Sequence, residues 1–229
     1  RALHLARSGR PGPCWLDIPI DLQAAPIDPG ALRHFTAPPA SATWRASDCD
    51  ALLARLAAAR RPVILAGTGV RCAAAEREFE TLIGRLAIPV VTAWTHDLIA
   101  DDDPLYCGRP GTIGTRAGNF TVQEADLLLI LGSRLNVRQV SYNWAAFAPQ
   151  AFKIQVDIDP AELAKPLVVP DLAICADLRD FLATLNSRLA IDPPSRPAAH
   201  DEWLARCRQR LADYPSVLPR QREFRGRIN

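Results

Sequence analysis

The sequence predicts an α/β fold, a Rossmann-like doubly wound parallel sheet with helices on both faces. Two observations carry this prediction. Runs such as Pro62-Val-Ile-Leu-Ala66 and Asp126-Leu-Leu-Leu-Ile-Leu-Gly132 show none of the polar alternation of a half-exposed strand, as strands buried on both faces require. Between them lie stretches whose apolar residues recur every three or four positions, such as Phe79, Leu82, Ile83 and Leu86, which is the spacing of one helix face. Strands with two buried faces, separated by helices, are satisfied only in a parallel sheet covered on both sides.

Taken in order, Ser47 is placed to cap a helix with Leu52, Leu53 and Leu56 on one face, ending before Pro62. The strand Pro62–Ala66 leads into a turn at Gly67-Thr-Gly-Val-Arg71, then the helix of Phe79 to Leu86 and a strand from Ile88 to Ala93. A loop rich in Asp, Gly and Pro runs from Trp94 to about Gly118, and a short helix near Phe120 to Glu124 precedes the strand Asp126 to Gly132. Phe152 to Asp159 is a strand with partial alternation, Leu172 to Ala176 a last short one, and Leu178, Phe181, Leu182, Leu185 and Leu189 mark the closing helix. Beyond Pro194 an amphipathic piece, Asp201 to Tyr214, carries Trp203, Cys207, Leu211 and Tyr214 roughly on one face. It has nothing of its own to bury against, so it packs on the main domain or on one outside the chain. Prolines cluster at Pro11 to Pro39 and at Pro193 to Pro219 and read as linkers. The expected organisation is a closing piece of one domain over 1–23, a linker over 24–46, the nucleotide-binding-like domain over 47–190, and a linker with a helix over 191–229.

The chain has 229 residues and 25.0 kDa, 48% hydrophobic and 23% charged, enough for a sizeable core, which excludes a disordered tail or a collagen. With 27 basic and 25 acidic residues the net charge is only +2, so no general attraction to nucleic acid or an anionic membrane is expected. The apolar runs fall far short of the roughly 20 residues that span a bilayer. The sequence begins at Arg1, and Arg1-Ala-Leu-His-Leu-Ala-Arg7 resembles the tail of a helix rather than a signal peptide, so a fragment is expected. The six cysteines form no C-x-x-C pair, which points to reduced buried thiols in a cytoplasmic protein. The four histidines make no ligand set, so no metal site is expected from this chain alone.

In an open parallel sheet the ligand crevice lies beyond the carboxyl ends of the strands, and the residues there form a consistent set. Gly67-Thr68-Gly69 follows the first strand, where backbone amides can approach a pyrophosphate, although Cys72 stands where a full fingerprint has its third glycine. A tight turn is the competing reading. Thr92, Ala93 and Trp94 follow the second, and the loop beyond contains Gly108-Arg-Pro-Gly111-Thr-Ile-Gly114, suited to a flat ligand or to a solvent-exposed turn. Arg134 is a candidate anion clamp after the third strand and Arg138 a second, each weighed against a surface salt bridge. Asp157, Asp159 and Asp177 suit ribose hydroxyls or, alternatively, caps of the following helices. No nucleophile with an adjacent base and no carboxylate pair is present in this set. On its own residues the segment reads as a nucleotide-binding module.

Gly9-Arg-Pro-Gly-Pro-Cys-Trp-Leu-Asp-Ile-Pro-Ile-Asp-Leu-Gln23 resembles the segment that closes the pyrimidine-binding domain of thiamine diphosphate-dependent enzymes. Arg61-Pro-Val-Ile-Leu-Ala-Gly-Thr-Gly-Val70, Ile88-Pro-Val-Val-Thr92, Ala125 to Arg134 and Val156-Asp-Ile-Asp-Pro160 resemble their central domain, nearest to the acetolactate synthase-like members. The resemblance implies part of a carboligase or decarboxylase acting on 2-oxo acids, homodimeric or homotetrameric when whole, with thiamine diphosphate and Mg2+ held by domains outside this chain. It also implies FAD in the crevice, with ADP or an empty crevice as alternatives. Gly67, Thr68 and Gly69 would then meet the pyrophosphate, Thr92, Ala93 and Trp94 the ribityl chain, and Gly111, Thr112, Ile113 and Gly114 the isoalloxazine side. Arg134 would face the diphosphate, Asp157, Ile158 and Asp177 the adenosine half, and Arg138 the substrate. Where the synthases read G-M-H-G this chain has Gly111-Thr-Ile-Gly114, and where they read R-F-D-D-R it has Arg134-Leu-Asn-Val-Arg138. The histidine and both aspartates are therefore absent. A nicotinamide oxidoreductase or sirtuin-like deacylase shares the fold class, but the chain lacks the full dinucleotide fingerprint and a histidine after the strands.

Overall fold

A computed structural model describes residues 1–38, 44–94, 97–193, 197–223 and 225–226. The chain divides into two compact units, Arg1–Thr43 and Trp44–Asn229. The first contains α1 (Ala2–Arg7), α2 (Ile20–Gln23) and a 3-10 turn at Pro29–Ala31, none of which buries a residue. Asp28 caps the 3-10 turn by accepting the Gly30 N–H at 2.9 Å. Trp15, Leu16, Ile18 and Ile20 are all exposed.

The second unit holds α3 (Ala46–Ala58), β1 (Pro62–Ala66), α4 (Gly69–Cys72), α5 (Glu76–Leu86), β2 (Val90–Thr92), α6 (Arg116–Gln123), β3 (Leu127–Leu131), α7 (Val137–Val140), β4 (Phe152–Asp157), α8 (Pro160–Leu163), β5 (Leu172–Cys175), α9 (Leu178–Ile191), α10 (Ala198–Asp213) and α11 (Pro219–Arg222). All five strands are parallel, in the order β2-β1-β3-β4-β5. The doubly wound sheet predicted from the apolar runs is present. Alternate residues of the central strands enter two separate cores. Ile64, Ala66, Leu129 and Leu131 pack with Leu52 and Leu56 of α3, Phe79 and Leu82 of α5, and Phe181 and Leu185 of α9. Val63, Leu65, Leu128 and Ile130 pack on the opposite face with Val122 of α6 and Trp203 and Cys207 of α10.

Local chemistry shifts several expected boundaries. Ser47 lies inside α3; the cap is Arg45, whose N–H donates to the Asp48 carboxylate at 2.6 Å, so the acid three residues on does what a serine cap would have done. The expected turn at 67–71 contains the single helical turn α4, and β2 is only Val90–Thr92. Helix α6 starts at Arg116 because Thr115 Oγ1 accepts the Gly118 N–H at 3.0 Å; the expected loop to Gly118 was too long. Strand β4 stops at Asp157, since Asp159 accepts the Ala161 N–H at 2.9 Å and opens α8. The expectation of buried thiols holds for Cys49, Cys107 and Cys207 but not for Cys14 and Cys72, which are exposed because Cys14 lies in extended chain and Cys72 ends a surface turn of helix.

Asp126, the residue that interrupts an otherwise apolar run, accepts the N–H groups of Arg60 at 2.9 Å and Arg61 at 2.8 Å, while its own carbonyl accepts from Phe152 at 2.8 Å. It thereby ties together the entrances of β1, β3 and β4. Helix α10 begins at Ala198, earlier than expected, and docks on this unit. The Trp203 indole N–H donates to the Pro62 carbonyl at 3.2 Å, the His200 Nε2 lies 2.8 Å from the Ala59 carbonyl, and Glu124 pairs with Arg206 at 3.0 Å and with Arg210. Trp203 is only 3% exposed. Trp203→Ala should therefore destabilise the unit by about 3–5 kcal/mol, read as a lowered urea midpoint, with Trp203→Phe recovering most of the loss; an unchanged midpoint in the alanine variant would mean that α10 does not share this core.

Candidate functional site

The chain reverses its direction of travel across the sheet between β1 and β3, and the loops after these two strands touch. The Gly67 N–H donates to the Leu131 carbonyl at 2.8 Å and the Gly69 N–H to the Gly132 carbonyl at 3.0 Å. A Cβ on Gly67 would lie 2.2 Å from the Gly132 oxygen, and one on Gly69 2.6 Å from the Gly132 Cα. Gly132 itself has φ +56°, and a Cβ there would meet Gly69 and the Leu178 side chain. All three glycines thus serve backbone-to-backbone contact, a reason that the G-x-G pattern alone does not reveal. Thr68 remains exposed at this junction.

A second group forms beside β2. The Thr92 N–H donates to the Gly108 carbonyl at 3.2 Å and the Ala93 N–H to the Ala66 carbonyl at 2.8 Å. The Arg138 guanidinium lies 5.1 Å over the half-exposed ring of Trp94, and the Arg138 carbonyl accepts the Thr112 N–H at 2.8 Å and hydroxyl at 3.1 Å. The glycine-rich loop is not a free turn. Asn119 of α6 accepts the Gly111 N–H at 2.9 Å and donates to the Gly111 carbonyl at 3.1 Å, a loop-to-helix bridge without any signature in the sequence. A Cβ at Gly114 would lie 2.2 Å from the Arg109 carbonyl, whereas Ile113 projects outward, 67% exposed.

A third group lies beyond β4 and β5. The Asp157 carboxylate accepts the Asp159 N–H at 3.0 Å, the Ile158 carbonyl accepts from Cys175 Sγ at 3.6 Å, and Asp177 caps α9 by accepting the Arg179 N–H at 2.8 Å. The capping reading is the one these geometries fulfil. Arg134 takes part in an ion pair, with Nε and Nη2 each 2.6 Å from Glu162 Oε1. Lys165 pairs with the same carboxylate and donates to the Arg134 carbonyl at 3.0 Å. Burial would push the Glu162 carboxyl up, but hydrogen bonds and charge from Lys165 and Arg134 prevail and hold it below the ordinary value. Glu162 is the functional-region residue that sequence reasoning missed; it sits three positions before a lysine, a spacing that brings two side chains onto one helical face.

The crevice therefore brings the glycine junction, Arg134 and the Trp94–Arg138 pair to the carboxyl ends of the strands. Among the described residues no group of three His, Cys, Asp or Glu side chains comes together that could hold a metal ion, and no helix is long and apolar enough to cross a membrane. The cationic side chains exposed in the crevice include Arg134 and Arg138.

Residues 49–185 match the thiamine pyrophosphate enzyme central domain. The chain belongs to this family. It is 34% identical over 223 residues to the acetolactate synthase isozyme 1 large subunit of Escherichia coli (strain K12), covering 96% of this chain and 37% of that protein. It is 35% identical over 224 residues to acetolactate synthase 1, chloroplastic, of Zea mays, covering 93% and 34%. A probable acetolactate synthase large subunit of Methanocaldococcus jannaschii is 36% identical over 201 residues, covering 80% and 32%. The chain spans about a third of the length of these relatives.

Two outcomes follow for this thiamine pyrophosphate enzyme domain. Gly132→Ala should cost about 1–3 kcal/mol, through left-handed strain and overlap with Gly69 and Leu178. Gly84→Ala, in open space on α5, should instead stabilise by about 0.5–1 kcal/mol; thermal unfolding of both variants checks the contrast. Because the folded-state pKa of Glu162 is depressed, its stabilisation is full above the ordinary glutamate value of about 4.3 and disappears as pH falls through the lower folded value. Glu162→Gln should cost about 2 kcal/mol at pH 7, and the gap between the urea midpoints of wild type and variant should narrow as pH falls below the ordinary glutamate range.

Proposed function

We propose that this chain is the central-domain portion of an acetolactate synthase-like enzyme that uses thiamine diphosphate to act on 2-oxo acids, and that its strand-end crevice binds FAD, with ADP as the alternative ligand. The observation that carries the reading is the junction of Gly67, Gly69 and Gly132 at the point where the strand order reverses, with Arg134 at its edge. That is where open parallel sheets receive nucleotides. Thr68, Trp94, Ile113, Arg134 and Arg138 are the exposed side chains around it, and they fit a dinucleotide: a guanidinium and a hydroxyl for the diphosphate, apolar surface for a flat ring. Gly67, Thr68 and Gly69 with Arg134 would face the diphosphate, Thr92, Ala93 and Trp94 the ribityl chain, Gly111, Thr112, Ile113 and Gly114 the isoalloxazine side, and Asp157, Ile158 and Asp177 the adenosine half. Arg138, steered by Trp94 and holding Thr112 through its carbonyl, would reach toward the substrate.

Thiamine diphosphate supplies the carbanion chemistry in such enzymes. Among the described residues no three His, Cys, Asp or Glu side chains come together to hold a metal ion, and we place thiamine diphosphate and its Mg2+ with other domains of the whole enzyme, a homodimer or homotetramer. The exposed Trp15, Leu16, Ile18 and Ile20 of the first unit support reading it as the closing piece of a larger domain. Six free thiols accord with a cytoplasmic location.

A second reading, a structural module with an empty crevice, draws on a specific feature: Glu162 already pairs with Arg134, and the Gly67 and Gly69 amides already donate to backbone carbonyls. Titration with FAD and with ADP separates the two, followed by flavin absorbance and calorimetry. The expected result is saturable FAD binding in the micromolar range, weakened at least about tenfold by Arg134→Ala. Tight ADP binding without flavin would change the ligand, and binding of neither would leave the structural reading.

A further inference from the structure

A cleft of about 570 Å³ lies on the flank of the glycine-rich loop, between that loop, the start of α6 and the segment following α10. Its lining includes Arg109, Arg116, Ile113, Tyr214 and Ser216, and it shares only Ile113 and Gly114 with the residues assigned to the crevice. Among the described residues the buried Arg109 Nε meets no hydrogen-bond acceptor. Arg109 is held where it is by its backbone, since its N–H donates to Thr115 Oγ1 at 3.1 Å and its carbonyl accepts the Thr115 N–H at 2.7 Å. Arg116 is the residue after that threonine, and its guanidinium lies 5.2 Å over the Tyr214 ring. Among the described residues neither arginine forms an ion pair; Asp213, the carboxylate in the lining, accepts from Gln209 at 2.8 Å. Two arginines that form no ion pair among the described residues therefore line a cleft large enough for a small metabolite.

We infer that this cleft is a second ligand site, one that takes the phosphoryl group of a phosphate monoester between Arg109 and Arg116. The guanidinium fork matches the tetrahedral oxygens of phosphate. Ile113 and Tyr214 supply an apolar wall for the organic part of the ligand, and Ser216 a hydroxyl at the same wall.

The test uses the 229-residue chain with inorganic phosphate and AMP as probes, followed by calorimetry and by the Nε–H proton signals of arginine in NMR spectra. Both probes should bind saturably and shift the Arg109 Nε–H signal. Arg109→Gln and Arg116→Gln should each weaken binding of inorganic phosphate by about tenfold or more, whereas Arg77→Gln, exposed on α5, should leave it unchanged. Arg116 is exposed, so its variant keeps the test valid if Arg109→Gln folds poorly. The inference is overturned if neither probe binds, if the Arg116 variant binds as wild type does, or if Arg134→Gln abolishes the binding of inorganic phosphate and so places it in the crevice.

Discussion

The contact between the loops after β1 and β3 is the constraint on which the rest of the second unit depends. Two adjacent parallel strands end side by side, and their loops can interlock only where no side chain intervenes. Gly67, Gly69 and Gly132 meet that condition, with separations that no Cβ could tolerate. The junction fixes the end of β1 against the end of β3, presses on Leu178 at the start of α9, and so sets the level of the crevice floor for the whole sheet. The Gly67 and Gly69 amides donate to the Leu131 and Gly132 carbonyls and the Gly132 amide to the Val156 carbonyl, which makes the junction a structural joint.

Around this joint and elsewhere in the unit, several charges are paired. Glu162 neutralises part of Arg134 and Lys165, Asp126 takes two backbone amides at the opposite end of the sheet, and Glu124 receives two arginines from α10. Arg134 keeps nearly half of its side chain exposed while paired, so its charge faces the crevice with its direction fixed by a buried carboxylate. Arg109 and Arg116 line a cleft together with Asp213 and, among the described residues, form no ion pair.

The apolar runs and the helical spacings were enough to predict the strands, the order of the main helices and the two-sided burial, because the period of hydrophobicity is a local property. Fine boundaries were less legible. The ends of α3, α6 and β4 are set by single hydrogen bonds from Asp48, Thr115 and Asp159, and several residues in each neighbourhood could have made such a bond. Candidate site residues were legible as positions after strands. What each of them touches was not, as with Asp177, whose carboxylate accepts the Arg179 N–H.

The sequence by itself determined the α/β class, the positions of the strands and, through several ordered motifs, the family. Tertiary structure alone decided that Gly67 and Gly69 serve Gly132, that Arg134 belongs to Glu162, that Asn119 holds the glycine-rich loop, and that α10 packs on the sheet through Trp203. The physical reason is distance along the chain. Burial on two faces is written in neighbouring residues, whereas each of these contacts joins segments whose approach depends on strand order and on the path of the loops between them.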